Sequence, residues 1–121
     1  VDEARARDAL AEFTGRVAYI CGDLGTNGRV PWDLDPAKLP RRCHREVAAL
    51  ASYYLSKATG IEGLAALGYH PRYIKATGRR PPGPEELRVF HQLMMSSSEP
   101  LSLLAKITHM YITLTHLQPQ L

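Results

Sequence analysis

Apolar residues recur at intervals of three and four along most of this chain, and that spacing commits it to helices. Leu10, Phe13, Val17, Ile20 and Leu24 keep it through the first segment. An α-helix turns once every 3.6 residues, so such a set lines one face of a rod. The same spacing returns in Val47, Leu50, Ala51, Tyr54 and Leu55, and again in Leu87, Val89, Phe90, Leu93 and Met94. It closes the chain in a broad stripe of Leu103, Leu104, Ile107, Met110, Tyr111, Leu114 and Leu117. One segment admits a rival reading, because Val17 to Cys21 is also the pattern of a short strand entering a glycine turn. The unbroken spacing from Leu10 favours helix.

Local signals divide the helices. Asp2, Glu3 and Asp8 lie near the start of the first, where the helix dipole favours negative charge, and Gly22 and Gly25 end it. Residues 22–40 form a long connection rich in Gly, Asn, Asp and Pro, pinned to the body by Trp32 and Leu34. The next helix starts near Pro40 or Arg41 and ends at Thr59-Gly60. A short helix from Ile61 to Leu67 follows, with Gly68 as a left-handed cap, and another from Pro71 to Ala76 precedes Gly78. Residues 79–84, R-R-P-P-G-P, are irregular. Pro84-Glu85-Glu86 opens a further helix, Ser96-Ser97-Ser98 breaks it, and Ser98, or second to it Ser97, caps the last. The paired Tyr53-Tyr54 and Met94-Met95 fall on apolar stripes and are expected in the core. The sequence therefore predicts an all-α fold, a compact bundle of five or six helices in a single domain. Residues 1–25 supply the N-terminal helix, 26–40 a long loop and 41–121 a helical body.

At 121 residues the chain is long enough to bury a core. No apolar run approaches the roughly 20 residues that span a bilayer, so no membrane association is expected. No leader of basic then apolar residues stands at its start, and a first residue of Val1 fits an excised domain. Of the two cysteines, Cys21 and Cys43, the first lies in an apolar pattern and is expected as a buried free thiol. That points to a reducing, intracellular setting, cytoplasmic or nuclear.

The charge is unevenly spread. Residues 1–35 carry four basic and seven acidic side chains, whereas residues 36–121 carry eleven basic and five acidic. The segment Gly68 to Gly83, G-Y-H-P-R-Y-I-K-A-T-G-R-R-P-P-G, holds Arg72, Lys75, Arg79 and Arg80 with no acid. Tyr69 and Tyr73 are interleaved among those cations. Cations set among aromatic rings suit a polyanion that carries stackable bases.

The stretch from Glu62 to Leu93 resembles the lambda-repressor-like helix-turn-helix family. The matching positions are Leu64, Ala65, Gly68, Pro71, Tyr73, Ile74, Gly78, Arg79, Arg80, Pro84 and Glu86, and the likeness covers roughly residues 43–95. The family pattern has three residues between the alanine and the turn glycine, whereas here Ala66 and Leu67 alone separate Ala65 from Gly68. The second helix is also about two residues short before Gly78. The resemblance implies that His70, Arg72, Tyr73 and Lys75 face the duplex, with Arg72 on guanine and Arg79 and Arg80 on phosphates. It implies that Ile74 points inward to lock the two helices. It also implies that the final helix pairs two copies on a two-fold operator.

A second basic group, Arg41, Arg42 and Arg45 with Lys38 nearby, offers further phosphate contacts, or else an ordinary solvated helix face. The histidines, at 44, 70, 91, 109 and 116, keep no spacing that would close a zinc site, and no metal or other cofactor is expected. Gly22, Gly25, Gly28 and Arg29 lack the lysine and hydroxyl of a phosphate-binding loop. Asp33 and Asp35 have no partner base, and no activated nucleophile appears, so no enzymatic activity is expected.

Two functions compete. The first is a nucleic-acid-binding regulatory domain, with DNA preferred to RNA, using Arg41, Arg42, Arg45, His70, Arg72, Tyr73, Lys75, Arg79 and Arg80. The second is a helical protein-interaction or assembly domain. In either case Leu103, Ile107, Met110, Tyr111 and Leu114 of the last helix are the expected interface for a second copy or a protein partner.

Overall fold

Helix α2 (His44–Thr59) carries the largest share of the packing between elements. In the computed structural model, which describes residues 2–21, 34–115 and 117, α1 (Glu3–Cys21) and α5 (Glu99–Leu114) lie against α2 and against each other. Two shorter helices, α3 (Pro71–Thr77) and α4 (Pro84–Leu93), stand between α2 and α5 in the chain. Three 3₁₀ segments, Pro36–Lys38, Arg41–Cys43 and Glu62–Gly68, complete the order, with no strand among the described residues. The fold is an all-α bundle.

The three-and-four spacing becomes the core directly. Phe13 and Val17 of α1, Val47, Ala51 and Leu55 of α2, and Leu104, Tyr111 and Ile112 of α5 are all fully or almost fully buried. Leu64 and Leu67 of the 3₁₀ segment and Phe90 of α4 close one side. Residues 17–21 are helical, so the strand alternative falls. The buried polar side chains Ser52 and Thr108 donate their hydroxyl protons to the carbonyls of Ala48 and Leu104, at 2.9 and 2.7 Å. Those bonds remove the penalty of burying an unsatisfied donor.

Leu34 does pin the long connection. It is fully buried at a left-handed φ of 50°, and the Tyr111 hydroxyl donates to its carbonyl at 2.6 Å. Trp32, expected to share that duty, lies outside the described residues, as do the Gly22–Arg29 run, Asp33 and His116. Cys21 and Cys43 are free and buried. Burial, reinforced by contact with Cys43, pushes the Cys21 thiol up to about 12.

Several expectations need correction. Glu62–Gly68 is a 3₁₀ segment and not an α-helix. Gly68 is not a left-handed cap, since the described glycines with positive φ are Gly60 and Gly78, which terminate α2 and α3. Gly68 is needed for close approach: a Cβ there would stand 2.7 Å from Ala49 Cα and 2.9 Å from the Ala48 carbonyl oxygen. Tyr54 is in the core but Tyr53 is half exposed, because adjacent helical positions point about 100° apart. Met95 lies in the turn beyond α4 and is largely exposed. Ser98 precedes α5 but makes no capping hydrogen bond. No helix among the described residues is long and apolar enough to cross a membrane.

Candidate nucleic-acid interface

The basic middle of the chain forms two clusters. The first is built on α3. His70 stands just before that helix, and its Nδ1 accepts the Arg72 backbone N–H at 3.1 Å. This capping bond leaves Nε2 as the protonated nitrogen of a neutral ring. Pro71 fills the first helical position and Gly78, at φ 69°, ends the helix. No residue of α3 is buried, and Ile74, expected to lock two helices together, is half-buried. The helix is held by its two ends rather than by a packed face.

Beyond Gly78 the chain doubles back. The Arg79 guanidinium sits 5.9 Å from the Tyr69 ring centre and 5.6 Å from that of Tyr73. The two rings meet edge to face, 5.3 Å apart at 66°. Such a contact orients a guanidinium and leaves its N–H groups open to a phosphate. It also means that both rings, offered by the sequence as stacking platforms, already engage each other and Arg79. Arg72, Lys75 and Arg80 are exposed and form no ion pair with any described residue.

The second cluster is the start of α2. Arg41, Arg42, His44 and Arg45 line a cleft of about 500 Å³ with Leu114 and Thr115 from the end of α5. Arg42 donates through Nη2 to the Cys21 carbonyl at 3.2 Å, which ties the cleft to the end of α1. His44 Nε2 lies 3.0 Å from the Pro36 carbonyl oxygen and 3.3 Å from that of Leu39. Two acceptors around one nitrogen make Nε2 the protonated one. The ring packs edge-on against Tyr111.

Packing relates the two clusters. The 3₁₀ segment runs back along α2 and seats Gly68 against Ala48, Ala49 and Ser52. Arg45 lies one turn before Ala49 on the same face of α2, so α3 begins near the half of α2 that carries the arginines.

The expected C-terminal partner surface does not survive as drawn. Ile107 and Tyr111 are buried in the chain's own core, because α1 and α2 both pack on α5. Leu103 and Met110 are half-buried against that core, and Leu114 alone of the five is exposed. Sequence reasoning also missed the pairing of His91 with His109, whose rings lie 6.3 Å apart beside Phe90. Burial first, and then His91, holds the His109 imidazole below its ordinary range. No group of three or more metal-ligating side chains converges among the described residues.

Compared with known proteins, the chain matches no family model, no curated protein and no solved structure.

Proposed function

We propose that this is a nucleic-acid-binding regulatory domain without enzymatic activity, preferring DNA to RNA and gripping it through α3, the Arg79-Arg80 loop and the start of α2. The observation that carries this reading is the set of unneutralised cations. Arg41, Arg45, Arg72, Lys75, Arg79 and Arg80 are all exposed, and the ion pairs of the described residues involve Arg7, Lys57 and Arg88 instead. Between Glu62 and Glu85 there is no acid at all. A chain of phosphates would neutralise these charges and release its counterions. In the helix-turn-helix form of this reading, α3 lies at the major groove with His70, Arg72, Tyr73 and Lys75 towards the bases.

Fluorescence anisotropy with a labelled duplex and a labelled single strand tests it. Binding is expected at low salt. For duplex DNA the log–log salt slope should be about −5, since roughly 0.9 of an ion is released for each phosphate that these cations neutralise. Absence of saturable binding at low salt would end the proposal.

A second reading, protein interaction, is favoured by a different face. Tyr19 and Tyr53 are exposed on α1 and α2, and Tyr53 borders a cleft of about 630 Å³ with Gly15, Arg16 and Leu50. Tyr and Arg are enriched at protein interfaces, so this face suits a protein partner.

A further inference from the structure

We infer that the arginine cleft at the start of α2 receives a terminal phosphomonoester of a nucleic-acid strand, while the α3 arm contacts internal phosphates. This deepens the nucleic-acid reading and rests on it. The two basic clusters differ in shape. The α3 arm is convex, with nearly every side chain from Pro71 to Pro81 exposed, which suits a backbone running across it. The α2 cluster is concave: Arg41, Arg42 and Arg45 surround about 500 Å³, a volume in the usual range of small-ligand sites.

A concave site with three guanidinium groups matches an end better than a diester. An internal phosphate carries one negative charge, offers two free oxygens and has chain leaving on both sides. A terminal monoester carries about −1.5 to −2 charges, three acceptor oxygens and chain on one side only. Each guanidinium presents paired N–H donors in a rigid fork suited to phosphate oxygens. Arg42 is preset by its bond to the Cys21 carbonyl, and His44 by its contacts with Pro36 and Leu39. The amino end of α2 adds positive potential from the same direction. Leu114, 44% exposed and lining the same cleft, gives the terminal sugar or base an apolar surface that inorganic phosphate would not use.

The test uses one single-stranded sequence with an internal fluorophore, prepared with 5′-hydroxyl, 5′-phosphate and 3′-phosphate ends and as a closed circle. A phosphorylated end should tighten Kd about tenfold over the hydroxyl form, as expected for added charge-assisted hydrogen bonds. The circle should bind like the hydroxyl form. The double variant Arg41→Ala/Arg45→Ala should lose the preference and still bind the hydroxyl form. Arg79→Ala/Arg80→Ala should weaken all four ligands by the same factor. Equal Kd values for phosphorylated and hydroxyl ends would overturn the inference and leave the nucleic-acid reading standing. A preference that survives Arg41→Ala/Arg45→Ala would overturn the assignment to this cleft. Failure of all four ligands to bind would remove both.

Discussion

Gly68→Ala should lower the unfolding free energy by about 2–3 kcal/mol, the upper end of what overpacking a filled core costs. The new Cβ would fall 2.7 Å from Ala49 Cα, 2.8 Å from Ser52 Oγ and 2.9 Å from the Ala48 carbonyl oxygen. Two of those atoms belong to the α2 backbone, and a helix backbone does not swing aside as a side-chain tip does. Relief requires the 3₁₀ segment to lift, which strips Leu64 and Leu67 from the core. Gly15→Ala is the matched control. Gly15 lies inside α1, exposed, and apart from its chain neighbours and the local helix backbone no described atom lies within 4 Å of where an alanine methyl would stand. Alanine there should raise stability by about 0.5–1 kcal/mol, the helical advantage of Ala over Gly. Urea unfolding of the two variants reads both numbers. A Gly68→Ala variant as stable as the parent, or more stable, would mean that Gly68 does not occupy the contact described.

Replacing Arg72, Arg79 and Arg80 together by Ala should raise Kd for DNA about a hundredfold at low salt, since each lost phosphate contact removes a share of counterion release. The duplex salt slope should flatten by about 3, close to one unit per lost phosphate contact, or by about 2 in the helix-turn-helix form, where Arg72 faces a base. The fold should be unaffected. Arg72 and Arg80 form no ion pair with any described residue, and the contacts of Arg79 with Tyr69 and Tyr73 are at an exposed site, where such pairs contribute about 0.5–1 kcal/mol. Circular dichroism and thermal unfolding check that point alongside the binding titration. An unchanged Kd in a folded triple variant would move the binding surface away from α3.

Much of the helical order was legible because each helix carries its own signals. Pro84-Glu85-Glu86 opens α4 and Gly60 closes α2 as their chemistry requires. What was not legible depends on neighbours distant in sequence. Gly68 looks like any helix-ending glycine until α2 lies against it. The stripe on α5 is equally broad whether one helix or two cover it, so Ile107 and Tyr111 read as interface when they are core. The arginine cleft needs Leu114 and Thr115, some seventy residues beyond Arg45, and no spacing rule connects them. Tyr53 is different. Its exposure followed from its place next to Tyr54, since two adjacent helical residues cannot both face one core. The basic and aromatic run from Tyr69 to Arg80 was visible at once, but the folding of Arg79 onto both tyrosines depends on the left-handed turn at Gly78.

Amide chemical-shift mapping with a short DNA duplex tests the central claim most directly. Saturable shifts are expected at residues 41–45 and 70–80, fading as salt is added. Shifts centred instead on the face of Tyr19 and Tyr53, or none at low salt, would contradict it.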